Sequence, residues 1–448
     1  MKQKTLLFIV ALMSLTHLTY SQAQYQRSAV LEADSLLLPQ QDLQWFRDAK
    51  FGLFIHWGLY SIPGKGEWSM FYYRNDIDEY KKLANEFSAK KYDPKKWMEI
   101  AKNAGCKYVV LTTRHHDGFC LFDTKFGDYD AVNSAAKRDL IAEYVDAARS
   151  AQMKIGFYYS PPDWRYPGYF FPNMYRSSAE KMKEQTYVQV KELLTNYGEV
   201  DILWWDGGSD EWLGAGGLEY SWEKAWHKRE NDTPYTGDFS WEPLKLAKMA
   251  RKLQPKMLIN ERGGWKGDFD IHEERFLTGK MDRLWEYCDN LALNGWGWRP
   301  IDKETLLSLE EILRYLVKIV SLDGNFLLNV GPDPQGEIEP ELVERLEEIG
   351  EFMSKYGESI YGTRGGIYDE TWGGTTLTDD AIYVHVLDIP SDGVIKLPAT
   401  GEKIKTARYM NGNEKVSFIQ NTHDITLKGV ANKHNDIDVI IKIQLTPR

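Results

Sequence analysis

Seven short apolar, β-rich runs separated by amphipathic helical stretches occupy residues 40–345, and this alternation restricts the fold more than any other feature of the chain. The runs are 51–55, 108–112, 154–159, 201–205, 256–259, 283–287 and 325–330. Helical patterns lie between them, at 140–148 and again at 306–320, where Leu306, Leu309, Leu313, Leu316 and Val320 share one face. A strand that is apolar at successive positions must be covered on both faces. Strands that alternate with helices therefore imply a parallel sheet with right-handed crossovers. Seven of them in roughly 300 residues predict an α/β fold with a (β/α)8-like, TIM-type barrel, irregular because an eighth strand is not visible.

The Pro and Gly of Asp333-Pro334-Gln335-Gly336 precede one more amphipathic helix at about 340–356. After Gly362 the helical period disappears. Segments 381–386, 393–397, 405–409 and 436–445 alternate or run apolar between turn residues, which predicts a small C-terminal antiparallel β-sandwich. The expected organisation is a signal peptide at 1–23, a barrel at 24–357 and the sandwich at 358–448. Met1-Lys2-Gln3-Lys4, the apolar run from Leu6 to Leu15 and the small residues before Gln24 have the form of a secretory signal cut after Ala23. The apolar run is short for a membrane span and no Cys follows it to carry a lipid, so a periplasmic or secreted chain with no stable membrane anchor is expected. Cys106, Cys120 and Cys288 are too few for a disulfide framework. A net charge of -11 without a long basic run argues against nucleic acid.

In a barrel of this type, chemistry is carried by residues just past the strand C-termini. Asp206 ends the run Val200-Asp201-Ile202-Leu203-Trp204-Trp205 and precedes Gly207-Gly208. A buried strand thus delivers a carboxylate to the rim, and two glycines let the chain turn away without covering it. A helix-capping aspartate after a strand would read similarly from this segment alone. The same rule gathers His56, Glu67-Trp68, His115-His116-Asp117, Tyr158-Tyr159, Trp204, Arg262 and 268–274. Imidazoles and carboxylates bond hydroxyls and indoles cover the apolar face of a sugar, so this set, in a chain that is 13% aromatic, points to a saccharide ligand. His115 and His116 are adjacent, so both enter the barrel mouth only if the strand has ended before them. Zinc binding by His56, His115 and His116 would lack the paired one-face spacing of known zinc motifs, and no metal or cofactor is expected. A long insertion, 209–242, carries Trp212, Trp222, Trp226 and Trp241 and is expected to shape the site, with an aglycone subsite among its roles.

Taken in order, these segments resemble glycoside hydrolase family 29, the α-L-fucosidases. The resemblance rests on Trp45-Phe46 with Phe51-Gly52-Leu53-Phe54-Ile55-His56-Trp57-Gly58, Glu67-Trp68, Thr112-Thr113-Arg114-His115-His116-Asp117-Gly118-Phe119 and Tyr158-Tyr159-Ser160 with Asp163-Trp164. It continues through Trp204-Trp205-Asp206-Gly207 and Gly324-Asn325-Phe326-Leu327-Leu328-Asn329-Val330-Gly331-Pro332. It implies a retaining exo-glycosidase that removes terminal α-L-fucosyl residues from a fucosylated oligosaccharide or glycoconjugate. Asp206 is the implied nucleophile. His56, Glu67, Trp68, His115, His116, Tyr159 and Trp204 are the implied fucose-binding residues, and Arg262 precedes the acid/base loop. The Asp-Phe anchor of the family falls on Asp268-Phe269 and selects Glu273 as acid/base, while the departure at Ile271-His272 leaves Glu274 open and Glu286 is a third candidate. Ser69-Met70-Phe71 and Gly295-Trp296-Gly297-Trp298 depart from the family pattern and leave room for β-D-galactosides. A secreted binding protein without catalysis is the reading from another class, and the retained Asp206 argues against it.

Overall fold

The computed structural model describes residues 33–73, 75–207, 239–277 and 279–446, so the expected signal peptide and Trp212, Trp222 and Trp226 of the insertion lie outside the described residues. Eight strands, one more than the sequence predicts, form one parallel sheet: β1 Phe51–Ile55, β2 Tyr108–Arg114, β3 Lys154–Tyr159, β4 Ile202–Trp205, β5 Leu258–Ile259, β6 Asp270–Glu273, β7 Trp285–Asn290 and β8 Asn325–Val330. Their order is β5-β4-β3-β2-β1-β8-β7-β6. The two outer strands meet through a further parallel bridge, Asn260 with Phe269, beside which the Asp268 N–H donates to the Ile259 carbonyl at 2.6 Å. The sheet thereby curls into a barrel.

β6 escapes a hydrophobicity-based reading because Asp270-Ile271-His272-Glu273 contains a single apolar residue. Pairing of its backbone with β7, in register from Asp270 opposite Trp285 to Glu273 opposite Cys288, makes it a strand. Between β5 and β6 lies only the 3-10 turn Glu261–Gly263 in place of a crossover helix, and here the barrel is irregular.

Alternation along the strands sorts the apolar side chains into two cores. Phe54, Val110, Tyr158, Trp204, Cys288 and Leu327 fill the barrel interior. Leu53, Leu111, Phe157, Tyr159, Leu203 and Trp205 face outward into the layer beneath the helices. The longer helices are α1 Gln40–Ala49, α2 Pro94–Asn103, α3 Leu140–Ser150, α4 Arg176–Asn196, α5 Pro243–Leu253, α6 Leu309–Ser321 and α7 Pro340–Tyr356. Their starts follow from side-chain caps: Asp139 accepts the Ala142 N–H at 2.9 Å, and Ser308 with Glu311 forms a reciprocal capping box. α1 closes the N-terminal end of the barrel with Leu43 and Phe46, whose ring lies 4.9 Å from that of Phe269.

After α7, eight antiparallel strands form two sheets around a separate core that includes Trp372, Val384, Ile425 and Ile441. One sheet holds β9 Arg364–Asp369, β10 Gly373–Leu377, β11 Ala381–Val386, β13 Ile404–Tyr409 and β16 Val439–Leu445; the other holds β12 Val394–Pro398, β14 Ser417–Gln420 and β15 Asp424–Lys428. β9, β10, β14 and β15 are additional to the predicted strands. Their glycines and polar residues conceal the pattern.

Candidate active site

The C-terminal strand ends converge on an open cavity of about 290 Å³ lined by Phe54, His56, Glu67, Trp68, Tyr72, His115, Tyr158, Trp204, Asp206, Glu273, Glu274, Gly295, Trp296 and Arg299. Its volume and its aromatic walls, set with imidazole, carboxyl and guanidinium groups, suit a small polar ligand. Each strand delivers its residues by position: His56 follows β1, His115 and His116 follow β2, Asp206 follows β4, and Glu273 is the last residue of β6. Because β2 ends at Arg114, both histidines lie past the strand with their rings 4.2 Å apart; His115 lines the cavity and His116 faces Asp206.

Asp206 is held on all sides. One carboxylate oxygen accepts from Arg262 Nη1 at 2.9 Å and from the Gly207 N–H at 2.7 Å. The other accepts from the Tyr158 hydroxyl at 2.5 Å, with His116 Nε2 at 3.4 Å. Gly207 has φ +105°, and a Cβ there would lie 2.5 Å from Pro162 Cγ, so the turn after the carboxylate requires glycine. Burial pushes the Asp206 carboxyl up, but His116, charged only in the acidic range where Asp206 titrates, the Arg262 charge and the Tyr158 and Gly207 hydrogen bonds outweigh it and hold the pKa at about 2.

Arg262 also donates through Nη2 to Glu273 at 2.7 Å, so a single guanidinium spans both carboxyls. Glu273 is nonetheless raised, by burial first and by the Asp206 charge, against the lowering pull of Arg262. Two acids on one cation are thus driven in opposite directions, the pattern that separates an ionised nucleophile from a protonated acid. The other glutamates differ. Glu286 is the second residue of β7, deep in the barrel, where it accepts from the Tyr108 hydroxyl at 2.5 Å and Trp204 Nε1 at 3.0 Å. Burial raises its pKa to about 7, and it braces the wall without lining the cavity. Glu274 lies on the exposed rim.

Glu67 accepts the Trp296 and Gly297 N–H groups at 3.1 and 2.8 Å. Asn329 donates to Asn290 and to the Trp296 carbonyl, which turns its Oδ1 toward His56; the His56 Nδ1–H donates there at 2.7 Å and leaves Nε2 as an acceptor. Burial lowers His56 and His116 to about 4 and His115 well below its ordinary value, so all three are neutral at pH 7. His115 Nδ1 is buried without a partner among the described residues. Trp68 and Trp204 line the wall.

Tyr159 departs from expectation. Its hydroxyl donates to Gln189 of α4 at 2.8 Å, in the layer outside the barrel, while Tyr158 points into the mouth. Tyr158 and Trp204 are partners in register across β3 and β4 and so share the inward face, a pairing that the sequence does not show. Phe54, two residues before His56 on the same face of β1, and Trp296 are further wall residues that the sequence reading left out. Trp241 of the insertion is buried against Phe239, their rings 4.7 Å apart. Ligand atoms of His115, His116 and Asp206 lie within 4.8 Å of one another, as a metal site would require. Both Asp206 oxygens already accept hydrogen bonds and Arg262 supplies the counter-charge, so this donor set fits a network of hydrogen bonds better than a cation.

Comparison with known proteins decides the family: the α-L-fucosidase family model matches residues 17–358. The chain belongs to the α-L-fucosidase family, glycoside hydrolase family 29. Tissue α-L-fucosidase of Rattus norvegicus is 29% identical over 414 residues, covering 85% of this chain and 83% of the relative. The solved α-L-fucosidase isoenzyme 1 from Paenibacillus thiaminolyticus is 35% identical, with a TM-score of 0.77 over 91% of this chain and 99% of that one. A family 29 α-L-fucosidase from Bacteroides thetaiotaomicron, trapped as a covalent intermediate with 2-fluoro-fucosyl fluoride, is 27% identical with a TM-score of 0.78, covering 92% and 97% of the two chains. The barrel-plus-sandwich architecture is that of these family 29 structures.

Proposed function

We propose that this fucosidase-family chain is a retaining exo-α-L-fucosidase in which Asp206 is the nucleophile and Glu273 the acid/base. The observation that carries the assignment is the Arg262 fork, which touches both carboxyls across one cavity while their environments drive them apart in acidity. A single fork keeps them close, as the spacing of about 5–5.5 Å in retaining enzymes demands. The covalent intermediate trapped in the Bacteroides relative supports a covalent route.

In the first step the ionised Asp206 attacks the anomeric carbon. Glu273 gives its proton to the glycosidic oxygen, which leaves as the hydroxyl of the departing sugar. Esterification removes the Asp206 charge, one of the influences that raise Glu273, while the lowering influence of Arg262 stays. Glu273 therefore becomes more acidic as it changes role, and the resulting carboxylate takes a proton from the water that opens the ester. The acceptor nitrogen of His56, the imidazole of His115 where it lines the cavity and the Glu67 carboxylate supply partners for ring hydroxyls, and Trp68 and Trp204 offer apolar faces. With its N-terminal signal cleaved after Ala23, the enzyme acts in the periplasm or outside the cell; mass spectrometry of the mature protein should find Gln24 as its first residue.

The deciding experiment measures turnover of aryl α-L-fucoside and aryl β-D-galactoside by the wild-type protein, with Asp206→Ala as blank. Fucoside cleavage abolished by the substitution supports the proposal, and retention of near wild-type turnover refutes it. Glu273→Gln should lower kcat/KM about 10²–10⁴-fold on substrates with poor leaving groups. The wild-type pH profile should be a bell whose alkaline limb is the ionisation of Glu273, so that limb should vanish in Glu273→Gln. An unchanged limb would transfer the role to Glu274.

A further inference from the structure

Two exposed tyrosines stand at the edge of the cavity. Among the described residues the large apolar side chains most open to solvent are Tyr72, 67% exposed, and Tyr73, 58% exposed. Both lie just past the segment Ser69-Met70-Phe71 that follows the cavity residue Trp68, and they have different surroundings. Tyr73 has the Lys65 ammonium over its ring at 4.4 Å and does not line the cavity. Tyr72 does line it. One face of Tyr72 stacks on Trp68, centroids 5.5 Å apart and planes 28° from parallel, and its exposure leaves much of the rest of the ring open to solvent. It closes the one-turn helix Ser69–Tyr72, anchored from below by the buried Ser69 and Met70, so the ring is pre-positioned.

Two polar groups share this outer part of the cavity. Glu274 is exposed and held at φ +53°, a conformation unfavourable to a residue other than glycine. Arg299 also lines the cavity, packed against Gly66 and Gly295, and its Nε has no partner among the described residues. Asp206, Glu273 and the histidines lie inward, where the proposed chemistry places the fucosyl ring. An open aromatic face accompanied by a carboxylate and a guanidinium is a surface for a second sugar ring, its C–H face on the aromatic and its hydroxyls on the charged groups.

We propose that Tyr72, with Glu274 and Arg299, forms a subsite for the leaving saccharide, the sugar to which the fucose is attached. The inference rests on the fucosidase reading and adds to it that this chain acts on fucose linked to another sugar ring in preference to small leaving groups. The test compares α-L-fucosyl fluoride, which has no leaving sugar, with α-L-fucosyl-galactose and α-L-fucosyl-N-acetylglucosamine, using wild type, Tyr72→Ala and Tyr72→Phe. Tyr72→Ala should lower kcat/KM about tenfold on the disaccharide that the wild type cleaves best, mainly through KM, and change the fluoride by less than about twofold. Tyr72→Phe, which keeps the ring, should behave as wild type on both. Equal loss on fluoride and disaccharide, no loss on either, or wild-type cleavage of the fluoride alone overturns the subsite. A wild-type protein inert toward fluoride and disaccharides alike overturns the fucosidase reading, and the subsite with it.

Discussion

Glu286 shows how position along a strand decides what a carboxyl can do. At the second residue of β7 it is enclosed by the barrel wall and accepts two hydrogen bonds, whereas Glu273, at the last residue of β6, emerges beside Arg262. With a folded pKa of about 7 against an ordinary 4.5, Glu286 binds a proton more tightly in the folded chain than in the unfolded one. Its contribution is therefore full below pH 4.5 and lost as the pH rises toward 7. Glu286→Gln, neutral at every pH, should lack that loss: urea unfolding at pH 5 and pH 7 should show stability falling less across this interval than in wild type. The buried histidines act with the opposite sign, because lowered folded pKa values remove stability as the pH drops below 6.5. They are common to both proteins and cancel in the comparison.

At the scale of the element, the two-residue period of β3 separates Tyr158 from Tyr159. The same chemical change at the two positions should have unlike consequences. Tyr158→Phe removes a donor to Asp206 and should reduce kcat/KM on an aryl fucoside by about ten- to a hundredfold, equivalent to roughly 1.5–3 kcal/mol for a hydrogen bond to a charged group. Tyr159→Phe removes a bond to Gln189 outside the barrel and should leave kcat/KM near wild type while lowering stability by about 1 kcal/mol. The seam between β5 and β6 is the other element-level device. Gly267 sits there at φ +61°, where a Cβ would lie 2.4 Å from the Asn260 carbonyl carbon, and this tight approach lets a single turn replace a helix. The shortcut brings Arg262, after β5, beside Glu273 at the end of β6. Periodicity could not reveal it, because neither a long helix nor an apolar strand marks the place.

On the scale of the whole molecule, the C-terminal sheets bear on the barrel through α6. Bidentate contacts join Arg314 to Asp388 at 2.7 and 2.9 Å, and a Cβ on Gly365 would lie 2.4 Å from the Asp323 nitrogen just beyond the helix. Gly365→Val should therefore force the two units apart and cost about 1–3 kcal/mol, read as a lower melting temperature, with kcat/KM of the remaining folded enzyme unchanged because the cavity lies elsewhere. The sequence by itself determined the parallel barrel and the β-rich end, since strands covered on both faces and amphipathic helices permit few other arrangements. It also marked Asp206 and the neighbouring histidines, because residues at strand ends are legible wherever the strand itself is. Only tertiary structure decided which tyrosine faces inward, which glutamate meets Arg262 and where the eighth strand runs. Those outcomes depend on register, depth and pairing between distant segments, and a carboxyl or a ring acquires its role from the neighbours that folding gives it.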